Sequence, residues 1–291
     1  MSRGKIGRFR SAAGRKVFEA AYDDAMRVLP VPEVHDVPTP YGQVRAYRFG
    51  DGTGPPVVLL HGRGGTSLSW YPNVAPLAER RTVYALDLLG EPGHSEQTAP
   101  IHGGADQAAW LDAALKGLGL GTAHLVGWSF GGWTACNQAI RKPGRVASIS
   151  LIDPIATFAP FPPGVLLRSI PIALPFTARR ALPRFLRYID GRGEIPAGDP
   201  VARVIATALE QYRPALPSPR LFTDDQLRSI GVPVLALIAG RSVMHDPVRA
   251  ARRAEDLLSD AEVELWPEAT HSIAGQFAKE VNARILRFVD R

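Results

Sequence analysis

Cysteine is nearly absent. Cys136 stands alone among 291 residues, which excludes an internal disulfide and any cysteine-rich metal site. Its position within an apolar helical stretch predicts an inert, buried thiol. Long apolar runs are missing too: none approaches the roughly 18–20 residues of a membrane helix, so no stable membrane insertion is expected. The chain has no clustered His/Cys set and no phosphate-binding lysine motif, so neither a metal nor any other cofactor is expected. Acid is absent from the first 18 residues, where Arg3, Lys5, Arg8, Arg10, Arg15 and Lys16 stand. These six account for the whole net charge of +6, leaving the remainder formally neutral. A basic end can touch nucleic acid or anionic lipid. Here it reads as a solvated, frayed terminus, with no nucleic-acid partner expected. It lacks the apolar core of a secretory signal, and a cytoplasmic location is expected.

With 45% hydrophobic and 21% charged residues, the chain can build one large α/β domain carrying an insertion. Residues 15–30 predict a helix with Val17, Ala21, Ala25 and Val28 along one face, ended by Pro30 and Pro32. Strands then alternate with helices. Strands are predicted at 43–49, 56–60, 82–88, 123–126, 146–152, 232–240 and 263–266, and helices at 72–80, 104–118, 133–141, 247–259 and 274–289. Several of the strands are apolar throughout, which indicates a mostly parallel sheet covered by helices on both faces. Between residues 154 and 230 the rhythm breaks into short helices at 177–188, 200–212 and 223–229. The expected organisation is a basic tail and helix over 1–30, a core from 31–154 and 231–291, and a helical cap over 155–230.

The chemistry concentrates in Gly127-Trp128-Ser129-Phe130-Gly131-Gly132. An apolar strand enters it and a helix leaves it, the setting in which G-x-S-x-G pushes a serine onto a tight turn. Glycines let strand and helix approach closely there, while the serine backbone is strained. The serine hydroxyl then lies beside the first free N–H groups of the helix, which can stabilise negative charge. A serine nucleophile needs a base and an orienter for that base. Of seven histidines, His271 follows the last apolar strand and precedes the final helix, at the carboxyl edge where α/β sheets present functional residues. His61 opens a glycine-rich turn and reads as structural, with the Arg63 backbone N–H aimed at an oxyanion beside that of Phe130. No catalytic role is expected for His35, His94, His102, His124 or His245.

Taken together, Leu60-His61-Gly62-x-x-x-x-Ser67, the Ser129 motif and the late His271 resemble the α/β-hydrolase superfamily over about residues 40–291. The chain looks most similar to bacterial carboxylesterases of the naproxen-esterase type, which share Trp70-Tyr-Pro-Asn, the stretch beginning Asp153-Pro, and a short helix before the first strand. The resemblance implies an α/β-hydrolase fold with an inserted helical cap. It also implies a serine hydrolase that cleaves a small-molecule carboxylic ester through an acyl-enzyme on Ser129. The same triad could instead serve C–C bond hydrolysis, perhydrolysis or acyl transfer, and an inactive ligand-binding homologue is the remaining alternative. The apolar cap residues Phe158, Phe161, Val165, Leu166, Leu167, Ile170, Leu174 and Phe176 suggest an apolar acyl or alcohol group.

One departure concerns the acid. The family usually carries it about three residues beyond the glycine ending the penultimate strand. Here Gly240 is followed by Arg241-Ser242-Val243, and no acid appears before Asp246. Asp153 ends the strand after the nucleophile helix, where some superfamily members carry their acid. Asp153 is therefore the first choice for the triad, and Asp246 the alternative. Their non-catalytic readings are a cap for a helix after Pro154 and an N-cap before Pro247, respectively.

Overall fold

The computed structural model describes residues 5–173, 177, 181, 184–185, 187–189 and 200–291. Among these, the dominant feature is a nine-stranded sheet. Its middle is built from β4 (Val57–Leu60), β5 (Val83–Leu86), β7 (Ala123–Trp128), β8 (Val146–Ile152), β10 (Val234–Ala239) and β11 (Ala261–Trp266). These six run parallel in the order β11-β10-β8-β7-β4-β5. Every residue of β4, β5 and β10 is buried. That is what apolar strands roofed on both faces require, each aliphatic side chain contributing roughly 1.5–3 kcal/mol.

Beyond β5 the direction reverses. β3 (Gly42–Phe49) pairs antiparallel with β5, with β2 (Glu33–Thr39) at the edge and with the short β6 (Glu96–Gln97). The strand β2 has no counterpart in the sequence-based expectation. It holds only one buried residue, Val37, and its acids and Pro38 suit an edge, where a core-strand pattern is not needed.

The first helix, α1 (Ala12–Met26), is capped by Ser11, whose hydroxyl accepts the Gly14 N–H. Its inward face is Phe18, Ala21, Tyr22 and Ala25. Val17 and Val28, expected on that face, are exposed. The two large aromatics bury more apolar area than two valines and set the helical phase. Nor is the segment before α1 frayed where it is described. β1 (Arg8–Phe9) pairs antiparallel with β9 (Tyr212–Arg213), and the Gly7 N–H donates to Gln97 at 2.8 Å.

Helices α2 (Tyr71–Ala78), α3 (Gly104–Gly117) and α4 (Phe130–Arg141) follow expectation, whereas the final helix expected over 274–289 is broken at Phe277 into Ile273–Gln276 and Ala278–Val289. Between β8 and β10 lie α5 (Pro163–Ala173), α6 (Pro200–Gln211) and α7 (Asp224–Arg228). Phe158 and Val165 are buried in the core, whereas Leu166, Leu167 and Ile170 are more than half exposed. Leu174, Phe176 and much of the helix expected at 177–188 lie outside the described residues.

Candidate active site

Strand register brings the site together. Trp128 of β7 pairs with Ile152 of β8, and Ile152 pairs with Leu237 of β10. Ser129 and Asp153 are therefore the first residues beyond neighbouring strands, on the same edge of the sheet. Their backbones are pinned there: the Ser129 N–H donates to the Ile152 carbonyl at 3.0 Å, and the Asp153 N–H to that of Leu237 at 2.8 Å. The turn after β11 delivers His271 to the same edge.

Ser129 adopts φ 57°, ψ −115° immediately before α4, a left-handed conformation a non-glycine residue holds only under constraint. Glycine on both sides is a steric requirement. A Cβ on Gly127 would collide with the Gly131 carbonyl, and one on Gly131 with that of Leu60. The result is a hydroxyl held at the mouth of α4, whose first N–H groups have no intrahelical partner.

The His271 Nε2 lies 2.9 Å from Ser129 Oγ, and its Nδ1 lies 2.5 Å from Asp153 Oδ2. All three residues are buried. The Asp153 carboxylate is crowded by donors. Oδ1 accepts the Ala239 N–H at 3.0 Å, Oδ2 accepts the Ser242 hydroxyl at 2.6 Å, and His245 Nε2 approaches Oδ1 at 3.0 Å. Burial alone would raise the acid's pKa. His245 and His271 outweigh that and hold the carboxyl well below the usual carboxylate range. Asp153 also has φ 42°, which turns it inward, and the next helix begins only at Pro163. Asp246 is placed differently: it is exposed, and its side chain accepts the Arg249 N–H as the N-cap of helix α8 (Pro247–Leu257). It borders an open, charged surface cleft of about 640 Å³ that contains none of Ser129, Asp153 or His271.

The loop His61–Gly65 runs beside the serine. A Cβ on Gly62 would lie 3.3 Å from that of Ser129. His61 accepts the Leu88 N–H at Nε2 (2.9 Å), so its Nδ1 carries the proton and donates to the Gly62 carbonyl (2.8 Å). This is the structural role expected of it. The buried Glu91 fixes the loop further, accepting the Gly64 N–H and the Arg63 guanidinium, both at 2.9 Å. That guanidinium stacks 4.5 Å above the Phe130 ring and donates to the Pro217 carbonyl at 2.6 Å. Arg63 and Phe130, the two expected oxyanion donors, are thus clamped to each other through their side chains.

Glu91, Ser242 and His245 carry no local motif that marks them in the sequence. Trp128 joins them: its indole N–H donates to the His271 carbonyl at 2.7 Å, holding the histidine loop against the elbow. Cys136 is buried and free, and burial pushes its thiol well above the ordinary value. No group of metal-ligating side chains occurs among the described residues, and none of their helices is long and apolar enough to cross a membrane.

Comparison with known proteins assigns the fold family. Residues 57–284 match the model of the alpha/beta hydrolase family. Carboxylesterase YbfK of Bacillus subtilis is 31% identical over 280 residues, covering 94% of this chain and 93% of that protein. A second B. subtilis protein, named uncharacterized carboxylesterase nap, is 31% identical over 274 residues, covering 92% and 90%. The crystal structure of naproxen esterase from the same species superimposes with a TM-score of 0.88 at 28% identity, over 96% of this chain and 99% of that one.

Proposed function

The chain belongs to the α/β-hydrolase family, and from that premise we propose that it is a cofactor-free carboxylic ester hydrolase working through an acyl-enzyme on Ser129. The observation that carries the reading is the continuous line Ser129 Oγ–His271 Nε2, His271 Nδ1–Asp153 Oδ2, at 2.9 and 2.5 Å. Ester hydrolysis also accords with the two relatives named carboxylesterase.

In this mechanism Ser129 Oγ attacks the ester carbonyl carbon as His271 Nε2 takes the hydroxyl proton. Asp153 holds the Nδ1–H tautomer and faces the imidazolium that forms. The backbone N–H groups of Arg63 and Phe130 receive the developing oxyanion. Collapse breaks the carbonyl–alkoxy bond, and His271 returns its proton to the departing alcohol. Water, deprotonated by the same nitrogen, then attacks the acyl-enzyme and frees the acid and Ser129.

The described residues of the 155–230 segment act as a cap over this edge of the sheet. They include Leu209, whose side chain reaches to 3.6 Å from where a Gly64 Cβ would lie, and Phe222, whose ring stacks on Trp133 of the nucleophile helix. Such surroundings suit a substrate with an apolar acyl or alcohol group. The test is covalent trapping with a fluorophosphonate, followed by an ester panel of graded acyl length with product analysis. Label on Ser129, loss of at least about 10³-fold in kcat for Ser129→Ala, and release of free acid and alcohol are expected. Label elsewhere, or an active Ser129→Ala, would overturn the assignment.

A further inference from the structure

Asp153 serves two histidines, and the mechanism above uses only one. His245 lies on the loop between β10 and α8, is 2% exposed, and brings Nε2 to 3.0 Å from Asp153 Oδ1. On the other carboxylate oxygen stands His271. Neither ring nitrogen of His245 makes a well-aligned hydrogen bond, and its approach to Asp153 becomes an ion pair once the ring is protonated.

Resting on the triad reading, we propose that His245 is a positioning residue that sets the acidic limit of the enzyme's working range, its imidazolium sharing the Asp153 charge with His271. A protonated His245 occupies part of the field that would otherwise stabilise a positive His271. Removing that charge would leave the whole Asp153 field to His271.

The groups around His245 favour its charge. Asp153 faces it from the turn after β8, and Asp246 from its own loop; the backbone carbonyl and the carboxylate of Asp246 both act in the same sense. Ser242 on the same loop is neutral. His271, from the turn after β11, is the group it opposes. Helix α8 brings Arg253, whose guanidinium is engaged by the Thr157 and Phe158 carbonyls and by Asp224. Burial works against the His245 cation, and the two aspartates outweigh it, so the imidazole lies above its ordinary value.

His245→Gln keeps polarity and approximate size but removes the charge. The acidic limb of kcat/KM should move to higher pH by about one unit. A purely structural role would lower the plateau and leave the limb in place. The second measurement needs no turnover. In the full chain labelled with ¹⁵N-histidine, and assigned by comparison with His245→Gln, the His245 ring should titrate above about pH 6.5. A limb coincident with wild type, or a His245 ring that is neutral below that pH, would overturn the proposal. If instead Asp153→Asn were fully active, the triad reading would fail, and the ring titration would still report the His245 charge on its own.

Discussion

Asp153 and Asp246 both follow core strands and both precede a proline, yet the two Asp-Pro pairs have opposite fates. At Asp246, Pro247 opens a helix at once, and the carboxylate is captured by the Arg249 N–H at 3.0 Å. At Asp153 the chain turns with φ 42°, no helix follows before Pro163, and the carboxylate stays free to accept from Ala239, Ser242 and His271. An aspartate next to a helix start spends its charge on backbone N–H groups. One that turns inward at a sheet edge keeps that charge for a side chain. What separates the helix cap from the proposed orienter here is the stretch that follows, more than the dipeptide itself.

The comparison breaks most directly by neutralising each acid. Asp153→Asn should lower kcat by on the order of 10³–10⁴, because the amide favours the wrong imidazole tautomer. Asp246→Asn should change kcat by less than about threefold, since asparagine caps a helix nearly as well as aspartate. Ester-hydrolysis rates of the two purified variants decide this, and the reverse ranking would transfer the orienting role to Asp246.

Acid unfolding sharpens the contrast. The Asp153 carboxyl sits below its ordinary range in the folded protein. It therefore adds stability above the unfolded value of about 3.9, and that stability is lost as pH falls through the lower folded value. The stability gap between wild type and Asp153→Asn, from denaturant titrations across pH, should be full near neutrality and shrink below about pH 4. A gap that does not change with pH would contradict the ion-pair account.

Smaller effects belong to the supporting groups. Ser242→Ala removes one donor from Asp153 Oδ2 and should cost about tenfold in kcat, comparable to a hydrogen bond to a charged group, with little change in KM. Asp246→Ala should leave kcat within about twofold and lower unfolding stability by about 1 kcal/mol, the usual worth of an N-cap. A large loss of kcat in this variant would mean that the loop as a whole, including His245, depends on its helix start.

The proposed nucleophile and base, Ser129 and His271, stand out in the sequence because their surroundings carry local signatures: glycines where a Cβ would collide, and a polar loop between an apolar strand and a helix. The proposed acid, Asp153, stands out only through a gap, the acid missing after Gly240 set against a carboxylate at the end of β8. Glu91, Ser242 and His245 do not stand out. Each acts on a partner far away in the chain, and nothing near a buried glutamate or histidine announces the loop it will meet. The one available signal for His245 was its position beside an expected acid. Among elements, the parallel strands were read from unbroken apolar runs. β2, half exposed at the edge, lacks such a run, and α1 turns Phe18 and Tyr22 inward in place of Val17 and Val28 because the aromatics bury more area.

The pairing of Arg8–Phe9 with Tyr212–Arg213, extended by the Arg10 N–H to the Gln211 carbonyl at 2.7 Å, has a consequence for the order of assembly. The strand partners of Arg8–Phe9 lie about two hundred residues further along the chain. At a synthesis rate of roughly 5–20 residues per second, about ten seconds or more separate Phe9 from its partner Tyr212. Contacts of such sequence separation form late in folding. The β1–β9 pairing is thus a seam that costs loop-closure entropy to form.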